Sequence, residues 1–466
     1  MCRRPPSSFT LFGDQLEIAF ARARQHDQEV QCAVDQFLRV VALRQQQEVA
    51  VVVTLLRDEV GDVGHVERGY SAPRTAARFR GRMPRPGATL VRMTSADVAV
   101  VGGTVAALAS ALALQDAGRR LDIVHIGTRP AVDVTVLLWP RGVRVLEQLG
   151  VERADTLGQR ARMLRYRDAR GCVLSEVDLA PTGARLVARS QIAMELSRVC
   201  EQRRIRHIAA DVVNVVVEGR GFRVDASSGG SFSVRAVVGA AGLKDPVRTA
   251  LFGRETREES GGIVLGHAPA APFAGWGNDG IVELVFGPSE FIGILPCLDH
   301  AGAQVGSSWW LLVPSGPLSI PPASTLDAAI ERVARAFDAP VTKIVEASTV
   351  ATAMPPRPWI DPMQPAGATR AALVGDSFRA ATPELGLGVT WALEDAWRLG
   401  RSVQASGLVP GIGAYVRESV ATSNESVLGR MFGRGVAREE YDPLRRFALG
   451  LAPVTKMAAH VLSSMA

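Results

Sequence analysis

The sequence predicts an α/β fold: a largely parallel sheet flanked by helices, interrupted by an inserted antiparallel sheet, and followed by a C-terminal helical segment. Three observations carry this. Near residue 97 a short apolar run meets two glycines and then a stretch of helical period. Near residue 371 a second apolar run ends in Gly-Asp and a glycine-punctuated loop, and another helical stretch follows. Between them, residues 255–355 read as short alternating strands separated by Gly and Pro turns.

Residues 1–92 do not read as the start of such a fold. The run from Ser71 to Pro86 is rich in Pro, Arg and Gly and has the composition of a disordered linker. It is either part of a small appended domain or an upstream extension, with Met83 or Met93 as the working start. The second reading is preferred, because Met93-Thr-Ser-Ala-Asp97 runs directly into a strand. A chain beginning at Met93 is then expected to fold.

From Asp97 the grammar is strand, turn, helix, strand: Val98–Val101, Gly102-Gly103, Val105–Gln115, Leu121–Ile126. In a GxGxxG turn the glycines make the bend, admit a pyrophosphate and let helix pack on strand. Those three places hold Gly102, Thr104 and Ala107. Thr104 sets a β-branched side chain where a phosphate approaches backbone. The acid expected at the end of the second strand, which would bind a ribose hydroxyl, is Gly127. Replacing Thr104 by Gly and Gly127 by Glu is expected to strengthen nucleotide binding.

Residues Ala209–Val238 alternate as a β-meander through Val213, Val215, Val217, Phe222, Val224, Phe232 and Val234. Within 255–355, strands are expected at Gly262–Gly266, Ile281–Phe286, Phe291–Leu295 and Trp309–Val313, with a helix at Leu326–Ala336. Ala371–Val374 then reads as a buried parallel strand stopping at Gly375-Asp376. Pro383, Gly386 and Gly388 punctuate the following loop, and Trp391, Leu393, Ala396 and Leu399 begin a helix. Such a segment places a carboxylate and a helix N-terminus at the carboxyl end of a strand, where α/β sheets bind ligands.

This strand–GD–PxxGxG–helix order closely resembles the flavin-dependent aromatic hydroxylases, the p-hydroxybenzoate-hydroxylase-like monooxygenases. The resemblance extends over roughly residues 95–450. It implies a Rossmann-like FAD-binding domain (93–254 and 356–410), an inserted, mainly antiparallel β-sheet substrate domain (255–355) and C-terminal helices (411–466). It further implies FAD, with NAD(P)H as co-substrate and O2 as oxidant, and hydroxylation or epoxidation of an aromatic or polyketide-like small molecule. The cofactor contacts carried over by position are Gly102, Gly103, Arg189, Gly375, Asp376, Pro383, Gly386, Leu387 and Gly388. The resemblance assigns no catalytic side chain. Phe286, Phe291, Trp309 and Trp310 are pocket candidates or plain core. Arg141 is a phosphate or nicotinamide contact or a surface residue, and Arg248 keeps the family's basic position. The family's Asp-Gly pair is Ala241-Gly242 here, so a third polar contact is missing. A descendant that has lost flavin, acting as a cyclase, isomerase or non-catalytic partner, is the alternative.

Composition narrows the partners. The net charge is +6, but residues 1–92 carry 14 Arg against 10 acidic residues, so the rest of the chain is nearly neutral. With only three lysines and no basic stripe interleaved with aromatics, nucleic-acid binding is not expected. The five cysteines are scattered and form no metal-ligand spacing, so neither a disulfide framework nor a metal site is expected. No apolar run reaches the length of a membrane span and no signal-peptide core follows the N-terminus, so a cytoplasmic monomer or homodimer is expected.

Overall fold

In the computed structural model the apolar run after residue 92 becomes β1 (Met93–Val101), the axis of a seven-stranded sheet. The structure describes residues 93–117, 120–128, 133–252, 262–269, 276–288, 290–313, 325–354, 370–379 and 386–422, all within the unit Val91–Ala466. Residues 1–92, Pro383 and the second C-terminal helix lie outside the described residues.

The chain turns from β1 into α1 (Val105–Gln115), which is apolar on every side. Val105 to Leu114 are all buried, as expected of a helix enclosed by other elements. β2 (Ile123–Ile126) returns beside β1 in parallel register, with Val98 opposite Ile123. β3 (Thr135–Leu138) and α2 (Pro140–Gln148) follow. β4 (Gln159–Arg160), β5 (Met163–Asp168), β6 (Val173–Asp178), β7 (Arg185–Ala188) and α3 (Arg189–Gln202) lead to β8 (Arg206–Ile208), which extends the parallel sheet beyond β2. The meander is β9 (Val212–Glu218), β10 (Gly221–Ala226) and β11 (Ser231–Gly239). The last of these lies parallel to β1 along its whole length. α4 (Pro246–Phe252) follows β11.

A second seven-stranded sheet holds β12 (Gly262–Pro269), β13 (Ile281–Phe286), β14 (Phe291–Leu298), β15 (Gln304–Val313) and β16 (Val350–Met354) in the order β16-β12-β15-β14-β13. It also takes in β5 and β6 from earlier in the chain, β5 pairing parallel to β13. One face is covered by α5 (Thr325–Ala336) and α6 (Ala339–Glu346), whose apolar residues pack with Val264, Ile292, Trp309 and Leu311. The other face packs Ile263, Leu284, Phe291 and Trp310 against Leu137, Trp139, Leu387 and Trp391. The chain then re-enters the first sheet at β17 (Ala371–Leu373), parallel to β11, and ends its described course in α7 (Gly388–Ser406) and α8 (Leu408–Thr422). Among the described residues no helix is long and apolar enough to cross a membrane.

Candidate cofactor and substrate site

The carboxyl ends of β1, β11 and β17 bring three turns together. The first is Gly102-Gly103. Gly102 has φ +135°, a region that side chains other than glycine rarely enter, and a Cβ there would lie 2.4 Å from the Ala240 carbonyl oxygen. Gly103 presses on the opposite side, where a Cβ would lie 1.5 Å from the Thr128 carbonyl oxygen. Thr104 precedes α1 in extended conformation, and its hydroxyl donates to the Ala240 carbonyl at 3.3 Å. The hydroxyl is thus engaged with the end of β11. α1 has no side-chain cap and no acidic residue in its first turn, so its positive end is left for an anion.

Gly127 receives a different reading from the one that treats it as a lost acid. A Cβ at this position would lie 2.2 Å from the Gly102 carbonyl oxygen and 2.6 Å from the Gly103 nitrogen. Glycine is required there because the turn rests on it, so the expected gain from Gly127→Glu is withdrawn. The carboxylate at the end of β2 comes instead from the residue preceding the meander: Thr128 donates its hydroxyl to Asp211 at 2.6 Å.

The turn also has a support that sequence reasoning missed. His125 on β2 is 3% exposed, and its Nε2–H donates to the Gly102 carbonyl at 2.7 Å. Its Nδ1 lies 2.9 Å from Nδ1 of His207 on β8, so one proton is shared between the two rings. Burial is the main reason that His125 titrates only at about 4. A His at this point of a strand reads as ordinary core, and only the third dimension shows what it holds.

The second turn is Gly375–Ser377. Gly375 takes φ +60°, and a Cβ there would touch Ala392 of α7 and Ala106 of α1. Its N–H donates to Asp395 at 3.2 Å, and Arg379 donates to the same carboxylate at 2.8 Å. Burial pushes the Asp395 carboxyl above its ordinary range, while Arg379 and Arg398 oppose that shift. The Arg379 guanidinium lies 4.8 Å from the centre of the Trp391 ring. Asp376 sits at the middle of this turn, half-buried.

The third turn is Ala241-Gly242, where the family Asp is absent. Another carboxylate, four residues on, ties this turn to the second one. Asp245 accepts from the Ala241 N–H at 2.7 Å and from the Ser377 hydroxyl at 2.7 Å. It also caps α4 by accepting from Val247 and Arg248 at 2.7 and 3.1 Å. Arg248 donates to the Ser377 carbonyl at 2.7 Å. Local sequence pattern carries no signal for Asp245, because its partner Ser377 is 132 residues away.

Beyond the second turn the loop ends at Gly386, Leu387 and Gly388. Gly386 has φ +61°, and a Cβ there would lie 2.8 Å from Leu137 Cβ of β3. Leu387 is 1% exposed. A Cβ on Gly388 would meet none of the described residues within 4 Å, so none of them covers the uncapped start of α7 there. Arg189 opens α3 directly after β7, its N–H donating to the Val134 carbonyl at 2.9 Å beside β3. Arg141 forms a 2.5 Å ion pair with Glu394 of α7, which gives it a structural partner.

On the second sheet, Phe286, Phe291 and Trp310 line the face that packs on Leu387. Ring centroids are 4.7 Å apart for Phe286 and Phe291, and 5.2 Å for Phe291 and Trp310. Trp309 is removed from the pocket candidates. It points to the opposite face, donating from Nε1 to the Ser348 hydroxyl at 2.7 Å. Adjacent residues of a strand must point opposite ways, so the two tryptophans cannot share one pocket.

These residues fit a flavin dinucleotide. Two uncapped helix starts, tight glycine turns and Asp376 would receive the pyrophosphate, ribityl chain and ring. Among the described residues no group of His, Cys, Asp and Glu could hold a metal.

Comparison with known proteins agrees. No family model matches the chain. The FAD-dependent urate hydroxylase of Klebsiella pneumoniae is 26% identical over 321 residues, 65% of this chain and 79% of that protein. The aurachin C monooxygenase/isomerase of Stigmatella aurantiaca is 25% identical over 360 residues, covering 72% of this chain and 88% of that protein. Among solved structures, Klebsiella pneumoniae HpxO complexed with FAD and uric acid superposes with a TM-score of 0.58 at 21% identity, over 79% of this chain and 93% of that one. By these relatives the chain is similar to FAD-dependent hydroxylases and monooxygenases, and it shares the α/β fold of their solved structures.

Proposed function

We propose that the chain is an FAD-dependent monooxygenase that uses NAD(P)H and O2 to hydroxylate or epoxidise an aromatic or polyketide-like small molecule. The observation that supports this reading is that Leu387, which opens α7, packs in one cluster with Phe286, Phe291 and Trp310 of the second sheet. In this reading Gly102-Gly103 and the start of α1 take the pyrophosphate, Asp376 holds the ribityl chain, and Gly386, Leu387 and Gly388 lie against the ring. Bound there, the flavin supplies the oxygen activation that side chains lack. The protein's own part is positional. Leu387 and the sheet face exclude water, and the N–H groups opening α7 favour electron-rich atoms placed before them.

The alternative, a flavin-free isomerase, cyclase or partner protein, is favoured by one observation: the space at Gly127 is closed to the usual ribose-binding acid. Purified protein supplied with FAD separates the two. The monooxygenase reading expects bound flavin, and NADH or NADPH oxidation that accelerates with an accepted aromatic and yields an oxygenated product. Pathway activity retained by flavin-free protein would contradict it.

A further inference from the structure

The Gly102 carbonyl lies one residue beyond the paired stretch of β1, and no described backbone N–H donates to it. Gly102 is buried, where a carbonyl oxygen left unpaired is costly. Its partner is the side chain of His125 on β2, whose Nε2 lies 2.7 Å away. A carbonyl only accepts, so His125 carries its proton on Nε2. Because burial keeps this ring from titrating until about pH 4, it is neutral at pH 7 and its Nδ1 is a bare lone pair.

That lone pair faces Nδ1 of His207 at 2.9 Å. The two histidines are direct partners in the parallel register of β2 and β8, with ring centroids 4.7 Å apart and planes tilted by 33°. The proton between the rings therefore sits on His207, which donates from Nδ1. His125 is 3% exposed, whereas His207 is open to solvent. A chain of hydrogen bonds thus runs from the surface of β8, through β2, to the first glycine turn. The Gly102–Gly103 peptide is trans and planar, so its N–H points opposite to its carbonyl. Whatever holds the carbonyl also aims the Gly103 N–H.

We propose that His207 is a positioning residue for the flavin dinucleotide: by donating to His125 it holds that ring, and through it the Gly102–Gly103 peptide, in the orientation that receives the pyrophosphate. This rests on the proposed function above and extends it to a solvent-facing residue on a different strand. His207 supplies a donor and nothing else in this role. Any side chain that places an N–H at the same point can replace it, and an apolar side chain of similar bulk cannot.

The test uses the full chain and its His207→Asn and His207→Leu variants. The Asn amide carries an N–H near the place of Nδ1, and Leu fills similar space with no donor. Nitrogen-15 NMR of protein labelled in histidine and glycine, without flavin, reads the relay directly. In the wild type His125 should be protonated on Nε2, with that proton protected from exchange, and bare on Nδ1. The protection should be lost in His207→Leu and kept in His207→Asn, and the Gly103 amide signal should shift only in the Leu variant. Flavin titration then follows. FAD affinity should fall about tenfold in His207→Leu and stay within about threefold of wild type in His207→Asn. If the wild type takes no FAD, the proposed function fails, and the Gly103 amide signal alone decides whether His207 positions the turn. A wild-type His125 proton on Nδ1, a Gly103 amide unmoved in both variants, or equal FAD affinity in the Leu and Asn variants overturns the proposal.

Discussion

Restoring an acid at Gly127 is the intuitive repair of the worn nucleotide site, and the structure predicts that it fails. Any side chain at 127 brings a Cβ to 2.2 Å from the Gly102 carbonyl oxygen and 2.3 Å from its carbon. Both obstacles are backbone, and neither can rotate away. Gly102 is in turn fixed by its φ of +135°, by its contact with Ala240, and by the His125 hydrogen bond. Forcing atoms into such a site costs about 1–3 kcal/mol or more. For a body of this size each kcal/mol corresponds to roughly 2–4 °C in melting temperature. Gly127→Ala should therefore already lower the melting temperature by several degrees, and Gly127→Glu should lower it at least as much. Because the displaced peptide is the one proposed to face the pyrophosphate, FAD affinity should fall in both. The assay is a thermal melt paired with titration of flavin fluorescence. A Gly127→Glu protein that melts like wild type and binds FAD more tightly would refute this reasoning.

Two further outcomes follow from buried charge. His125 has its pKa lowered from 6.5 to about 4, so the unfolded chain binds the extra proton between those values and the folded one does not. The associated stability, about 3 kcal/mol, is present above pH 6.5 and lost as the pH falls toward 4. Urea unfolding at pH 7 and pH 5 should show about 2 kcal/mol of that loss in wild type and much less in His125→Gln. Arg379 and Asp395 form an ion pair with side chains 4% and 1% exposed. Arg379→Met should cost up to about 3–5 kcal/mol by leaving the buried Asp395 only the Gly375 N–H and the charge of Arg398, while Arg379→Met with Asp395→Leu should recover much of it. Equal losses in the single and double variants would count against that account.

The parts of the fold legible in the sequence were those with a short-range cause. Gly375 and Gly386 stand out because their backbones take positive φ, and the strand-to-helix grammar around Gly102 follows from a local turn. What stayed hidden depends on distant partners. Nothing near Asp245 announces Ser377, and nothing near His125 announces Gly102. Alternation places Trp309 and Trp310 on opposite faces but does not say which face is roofed by α5 and α6. The entry of β5 and β6 into the second sheet is equally unreadable, since it rests on a parallel pairing of segments more than a hundred residues apart.

The central claim is that the Gly375–Asp376 turn anchors a flavin, and FAD titration of wild type beside Asp376→Ala tests it most directly. Loss of a charged hydrogen-bonding group is worth about 1.5–3 kcal/mol, a roughly tenfold to hundredfold loss of affinity. The account predicts that wild type turns yellow with FAD, and that Asp376→Ala takes up little flavin. Equal flavin content in the two proteins, or a wild type that stays colourless at saturating FAD, would contradict it.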